Sequence, residues 1–194
     1  MNVIGITSSR LHRCWRDQAV VLKTPASGSM SAMAILRQST SYDVISQQSM
    51  GHPDLNELLN ALLSMAQMLL TKQGEFLPIG ALMLSNGEIR HVGAQIEGTD
   101  YPGSQPLIDL LIENFQKEAA KGKLRAAGIC YDVLTVPPGK YQKQDTICCG
   151  LEHCLGEGVN VFMPYTKTGD GSFEYGETFA TKRTPQFFRQ TPRA

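Results

Sequence analysis

The sequence predicts an α+β domain: a mainly antiparallel sheet of five or six strands with two packed helices, in the order α-β-β-α-β-β-β with a further strand at the end. Three observations carry this. Two segments repeat apolar residues at helical spacing. Short apolar runs elsewhere are punctuated by Asn-Gly, Pro-Pro-Gly, Gly-Glu-Gly and Gly-Asp-Gly. Most strand pairs are joined by such turns, so hairpins dominate and the helices pack onto the sheet as a layer.

The first helix is read in "PDLNELLNALLSMAQMLLTKQG", with Asp54 as N-cap and Glu57 at capping-box spacing. Leu55, Leu58, Leu59, Leu62, Leu63, Met65, Ala66, Leu69 and Leu70 form its apolar face, and Gly74 closes it. Phe76 to Leu84 is apolar on both faces, as in a central strand covered on both sides. Asn86-Gly87 turns the chain into a more polar strand, Glu88 to Gln95. In "SQPLIDLLIENFQKEAAKGK", Ser104 is the expected cap of a second helix that buries Leu107, Ile108, Leu111, Ile112, Phe115 and Ala119. Its acids lie early and its lysines late, in accord with the helix dipole. "RAAGICYDVLTV", "TICCGLEHCL", "VNVFMPYTK" and "SFEYGETFA" supply the remaining strands.

Composition bounds the rest. The chain has 194 residues, 42% hydrophobic and 19% charged, with 18 basic and 18 acidic side chains. That suits one globular domain and gives no electrostatic footprint for nucleic acid. Residues 1–49 stand apart: they are Ser/Thr-rich, carry five basic and two acidic residues, and show no sustained period. They are read as a disordered extension or a mis-assigned upstream start, and a transit peptide also fits the composition. Residues 50–188 are then the single domain and residues 189–194 a frayed tail. No apolar run is long enough to span a bilayer, so no membrane partner is expected. Five cysteines, two of them adjacent, do not suggest a disulfide framework and fit a reducing cytoplasm.

"DTICCGLEHCLGEG" is the stretch richest in chemistry. On a strand Ile147, Cys149, Leu151 and His153 share one face while Cys148, Glu152 and Cys154 share the other. The adjacent cysteines cannot then bind one ion, and His153 and Cys154 diverge. No metal and no cofactor are expected. The alternative is a small cysteine-dependent hydrolase or redox protein using Cys154 or Cys130 with His91 or His153 as base. The leading expectation is a non-enzymatic binding or regulatory protein, acting through its sheet surface as a homodimer or on another protein. Tyr165, Glu174, Tyr175 and Glu177 are its expected exposed contacts. A small-molecule ligand between the sheet and the first helix is a third reading.

"FLPIGALMLSNGEIR", "PLIDLLIENFQKEAAKGKLRAAGICYDV", "GVNVFMPYTK" and "EYGETFATKRTPQFF" make residues 76–188 similar to an uncharacterised family of small bacterial cytosolic proteins. The order of elements also resembles the roadblock and profilin-like sandwiches, many of them dimeric scaffolds or small-molecule sensors. The first resemblance implies no activity, cofactor or catalytic residue, and the second concerns fold alone.

Overall fold

The structure, a computed structural model, describes residues 19–24, 51–99 and 102–188, with the first of these segments described in backbone only. Its elements run β1 (Ala19–Thr24), α1 (Pro53–Gln73), β2 (Ile79–Leu84), β3 (Ile89–Ile96), α2 (Ser104–Ala120), β4 (Leu124–Thr135), β5 (Gln144–His153), β6 (Gly158–Lys167), β7 (Phe173–Tyr175) and β8 (Phe179–Lys182). The class and the order of elements from α1 onward are those the sequence predicts. The strand count is higher than expected for two reasons. "SFEYGETFA" is two strands, interrupted where the Gly176 amide turns back to donate to Pro164 O at 2.8 Å. The second addition is β1, in a segment where the sequence shows no strand period.

The sheet order is β1-β3-β2-β4-β5-β6-β7, and β8 pairs with the same strand as β7. Every described pair is antiparallel except β1 with β3. β8 lies against Val159–Phe162 and β7 against Tyr165–Lys167, so the two short strands succeed one another along β6.

Alternation on β2 explains why both faces of the sheet are covered. Ile79, Ala81 and Met83 meet the α1 leucines together with Ala126, Cys130, Ile147, Cys149 and Leu151. Leu82 faces the other way, into a second cluster with Leu111 and Phe115 of α2, Ala127, Ile129 and Phe187. Leu58 and Leu62 are wholly buried, and each such leucine stabilises the fold by roughly 2 kcal/mol relative to exposure. Gly80 lets the Phe115 ring approach the β2 backbone: a Cβ there would lie 2.4 Å from Phe115 Cζ.

Turns and caps differ from the simplest sequence reading. The β2–β3 turn is a three-residue loop, since Gly87 N donates to Leu84 O and Leu84 N donates to Glu88 O, both at 2.9 Å. Only its last residue needs the left-handed region, and Gly87 takes it with φ +86°. Gly74 closes α1 as expected, with φ 80° and its amide bonded to Leu70 O. The N-cap of α1 is His52 rather than Asp54; its Nδ1 accepts the Asp54 amide, and Pro53 occupies the first helical position. Ser104 is the first residue of α2 rather than its cap, and Gly103 stands in the cap position without a side-chain bond.

Candidate functional site

Moving the cap to His52 leaves Asp54 one residue inside α1, where it cannot stay in solvent. Asp54, Leu58 and Leu62 are spaced i, i+4, i+8, so the carboxylate continues the buried leucine stripe. It is 5% exposed and meets two partners at the edge of the sheet. Arg125, at the start of β4, donates from Nε at 2.7 Å and Nη2 at 2.5 Å, a bidentate pair. His153, the last residue of β5, places Nε2 3.2 Å from Asp54 Oδ2. Burial raises the Asp54 carboxyl, but the hydrogen bond to His153 and the Arg125 pair together outweigh it and hold the group below its ordinary value.

The other ring nitrogen of His153 faces the β5–β6 turn. That turn has the same form as the β2–β3 turn: Gly156 N donates to His153 O, His153 N donates to Glu157 O, and Gly156 takes φ +97°. Cys154 is the first loop residue, not a strand residue. Its amide donates to Arg125 O at 2.8 Å, and its Sγ lies 4.0 Å from His153 Nδ1. Leu155 N also donates to Nδ1 at 3.2 Å. An amide can only donate, which assigns Nδ1 as the unprotonated nitrogen and leaves the ring proton on Nε2, directed at Asp54. Cys154, His153 and Asp54 thus stand in the order thiol, imidazole, carboxylate. Cys154 is exposed while His153 and Asp54 are buried.

The expected divergence of His153 and Cys154 is therefore corrected. Alternation holds only within the strand, and β5 ends at His153. Inside the strand the parity argument describes the side chains well. Cys149 lies in the α1-side core and is paired in register with Cys130, whereas Cys148 pairs with Tyr131 on the opposite face. Burial pushes the Cys130 thiol well up, and burial pushes Cys148 up to about 12. Neither is poised as a nucleophile. His91 does not reach Cys130, because β2 runs between their strands and two strand spacings amount to about 10 Å. Desolvation holds the His91 imidazole below its ordinary value.

His52, Asp54 and His153 also bring three metal-type donor atoms within 4.8 Å of one another. The two imidazoles are stacked, with centroids 3.8 Å apart and planes 21° from parallel. A metal ion lies in the plane of an imidazole along its lone pair, and two near-parallel planes so spaced share no such point. The lone pair of His52 Nδ1 is engaged by the Asp54 amide, and Arg125 occupies the carboxylate. This arrangement does not fit a zinc centre.

The expected binding residues are divided. Tyr165 is 6% exposed and belongs to the α1-side core, and Tyr175 is half-buried beside it. Glu174 and Glu177 are exposed. Asp54, Arg125 and His52 are the site residues that the sequence reading missed. The signal that marks Asp54 is an acid at i−4 from a buried leucine, which demands a partner.

No protein family, curated protein or solved structure matches the chain. What defines it is an α+β architecture with a hydrogen-bonded histidine–aspartate pair beneath an exposed thiol.

Proposed function

We propose that the chain acts through thiol chemistry at Cys154, as a cysteine-dependent redox protein that exchanges disulfides. One observation carries this reading: Cys154 Sγ lies 4.0 Å from the unprotonated nitrogen of a histidine whose other nitrogen is held by a buried carboxylate. The Leu155 amide, which engages the Nδ1 lone pair at rest, moves off it as His153 Nδ1 takes the thiol proton, and Asp54 stabilises the imidazolium through Nε2–H. The thiolate attacks one sulfur of a disulfide, whose S–S bond breaks as the Cys154 mixed disulfide forms. The departing thiolate recovers the proton from His153.

Exchange is favoured over hydrolysis because acyl transfer needs hydrogen-bond donors for a developing oxyanion. The Cys154 and Gly156 amides of the turn already donate to Arg125 O and His153 O, which leaves this turn only the Leu155 amide for an oxyanion. Exchange at sulfur develops no oxyanion. A reducing cytoplasm, the compartment that the cysteine usage suggests, keeps such a thiol available.

The test follows the release of a chromogenic thiol from an aromatic disulfide, in a Cys14→Ser background, with mass spectrometry of the product. The expected product is one mixed disulfide at Cys154, lost in Cys154→Ser. His153→Asn is expected to slow the reaction at neutral pH by about tenfold or more. The rate should recover at alkaline pH, where the thiol ionises without a base. That recovery separates loss of the base from loss of the fold. A His153→Asn protein with the wild-type rate and pH profile refutes the proposal.

A further inference from the structure

β4 and β5 continue past the end of β2 as an arm, with β5 still flanked by β6 as far as Gln144, whose Nε2 donates to Tyr165 O and Thr166 Oγ1. Along β4 the pattern changes from wholly buried at Ala126–Cys130 to alternating from Tyr131 onward. Leu134, Val136 and Tyr141 on this arm are 59%, 37% and 100% exposed. Pro137, Pro138, Gly139 and Lys140 form its tip, closed by Lys140 N donating to Pro137 O at 3.0 Å, with Gly139 at φ +73°. This is the turn for which proline in second place and glycine in third are suited. The apolar exposure therefore lies on an ordered hairpin, held further down by the Thr135–Thr146 hydroxyl bond at 2.8 Å.

Charge is separated along the arm. Residues 136–144 contain Lys140 and Lys143 and no acid, and both lysines are exposed. The root contains Asp132 and Asp145, also exposed, and residues 130–135 contain no Lys or Arg. Leu134 is paired in register with Asp145 and Tyr141 is flanked in sequence by Lys140 and Lys143, so the acidic end and the basic end each carry an exposed apolar side chain. Although Asp132 is exposed as a residue, its carboxyl is partly desolvated and stands above its ordinary value; a hydrogen bond from Tyr165 lowers it, and the negative charge of Asp145 raises it further.

We propose that the β4–β5 arm is a self-association surface whose occupant is the same arm of a second copy of this chain, packed across a two-fold axis. Two arms laid head to tail place Lys140 and Lys143 of each copy beside Asp132 and Asp145 of the other. Leu134 of each copy then meets Tyr141 of the other, with Val136 between the two contacts. A basic end and an acidic end, each with an exposed apolar side chain, are self-complementary only in this antiparallel arrangement, which is what an isologous contact requires. A parallel arrangement sets like charges against one another. The contact area of two hairpins lies at the small end of the range for specific interfaces, so the dimer is a concentration-dependent one.

Sedimentation velocity of the full chain, from low micromolar to several hundred micromolar, tests this. The expected result is a monomer that becomes a dimer as concentration rises, with association weakened by salt. Leu134→Asp should weaken association by at least about tenfold, in line with loss of an apolar contact. Lys140→Glu/Lys143→Glu and, separately, Asp132→Asn/Asp145→Lys should each be monomeric, because each sets like charges together. An equimolar mixture of these last two proteins should dimerise again, since both charged contacts in the mixed pair are then complementary. Restoration on mixing also shows that both variants are folded. A wild-type chain that stays monomeric throughout, a dimer indifferent to these changes, or a mixture that does not reassociate overturns the proposal.

Discussion

Asp54→Asn removes one negative charge from a group joining the first turn of α1 to the start of β4 and the end of β5. Its cost can be worked from the geometry. The His153 Nε2 bond is buried at both ends, and a hydrogen bond to a charged group contributes about 1.5–3 kcal/mol. The Arg125 side chain is 41% exposed, so on losing its partner it returns to water, and its share is reduced to about 0.5–1 kcal/mol. The first-turn acid adds about 0.5 kcal/mol through the helix dipole. Asparagine keeps an oxygen that can accept one of these bonds, which leaves an expected loss of about 2 kcal/mol. In urea, with a slope of about 2 kcal/mol per molar, that moves the unfolding midpoint down by about 1 M. The pH dependence has a definite sign. A carboxyl held below its ordinary value of 3.8 contributes stability that is fully present above that pH and is lost as pH falls through the depressed value. The Asp54 contribution to the gap between wild type and Asp54→Asn should therefore be lost as pH falls below about 4. A variant within about 0.5 kcal/mol of wild type at pH 7 would refute the claim that this carboxylate fastens α1 to the sheet. So would a gap undiminished well below about pH 4.

Two further changes probe the opposite face. Glu152 is wholly buried, pairs with Arg183 Nε at 2.9 Å and accepts the Phe187 amide at 2.6 Å, so Glu152→Ala should cost about 3 kcal/mol or more by stranding a mostly buried guanidinium. Urea unfolding measures the loss, and limited proteolysis should show earlier cleavage between Arg183 and Phe188; unchanged cleavage there would contradict a carboxylate that holds down this segment. Gly80→Ala drives a methyl group to 2.4 Å from Phe115 Cζ and should cost about 1–3 kcal/mol by overpacking. Combining it with Phe115→Leu should be less harmful than the sum of the two single changes, and strict additivity would show that the ring is not the obstacle.

The fold was legible because its main signals are local. Leu58 and Leu62 announce a helical stripe, Gly74 a left-handed stop, and the run through Ile79 to Met83 a strand covered on both sides; the structure realises each of these. What was not legible depends on pairing at a distance. β1 joins the sheet through backbone bonds to β3 across many intervening residues, and its own six residues are too few to set a period. The break between β7 and β8 rests on the Gly176 amide reaching Pro164, which no pattern within "SFEYGETFA" reveals. Asp54 satisfies the local capping rule equally well, and only its partners Arg125 and His153 make the deeper position preferable.

The same distinction explains the site. Parity along a strand is a strong rule, and it sorted Cys148 from Cys149 by face. It ceases where the ladder ends, and the last ladder residue is fixed by a turn whose geometry the sequence signals only through Gly156. With that glycine left-handed, the loop must be Cys154-Leu155-Gly156, and the thiol is released from the strand's alternation. His153 remains a strand residue pointing under α1, so its ring is held by Asp54 on one side and offered to the turn on the other. A one-residue difference in where β5 ends would have returned Cys154 to the face opposite His153. The thiol and the imidazole meet because a buried strand position is followed at once by a turn position, which gives one partner rigidity and the other access.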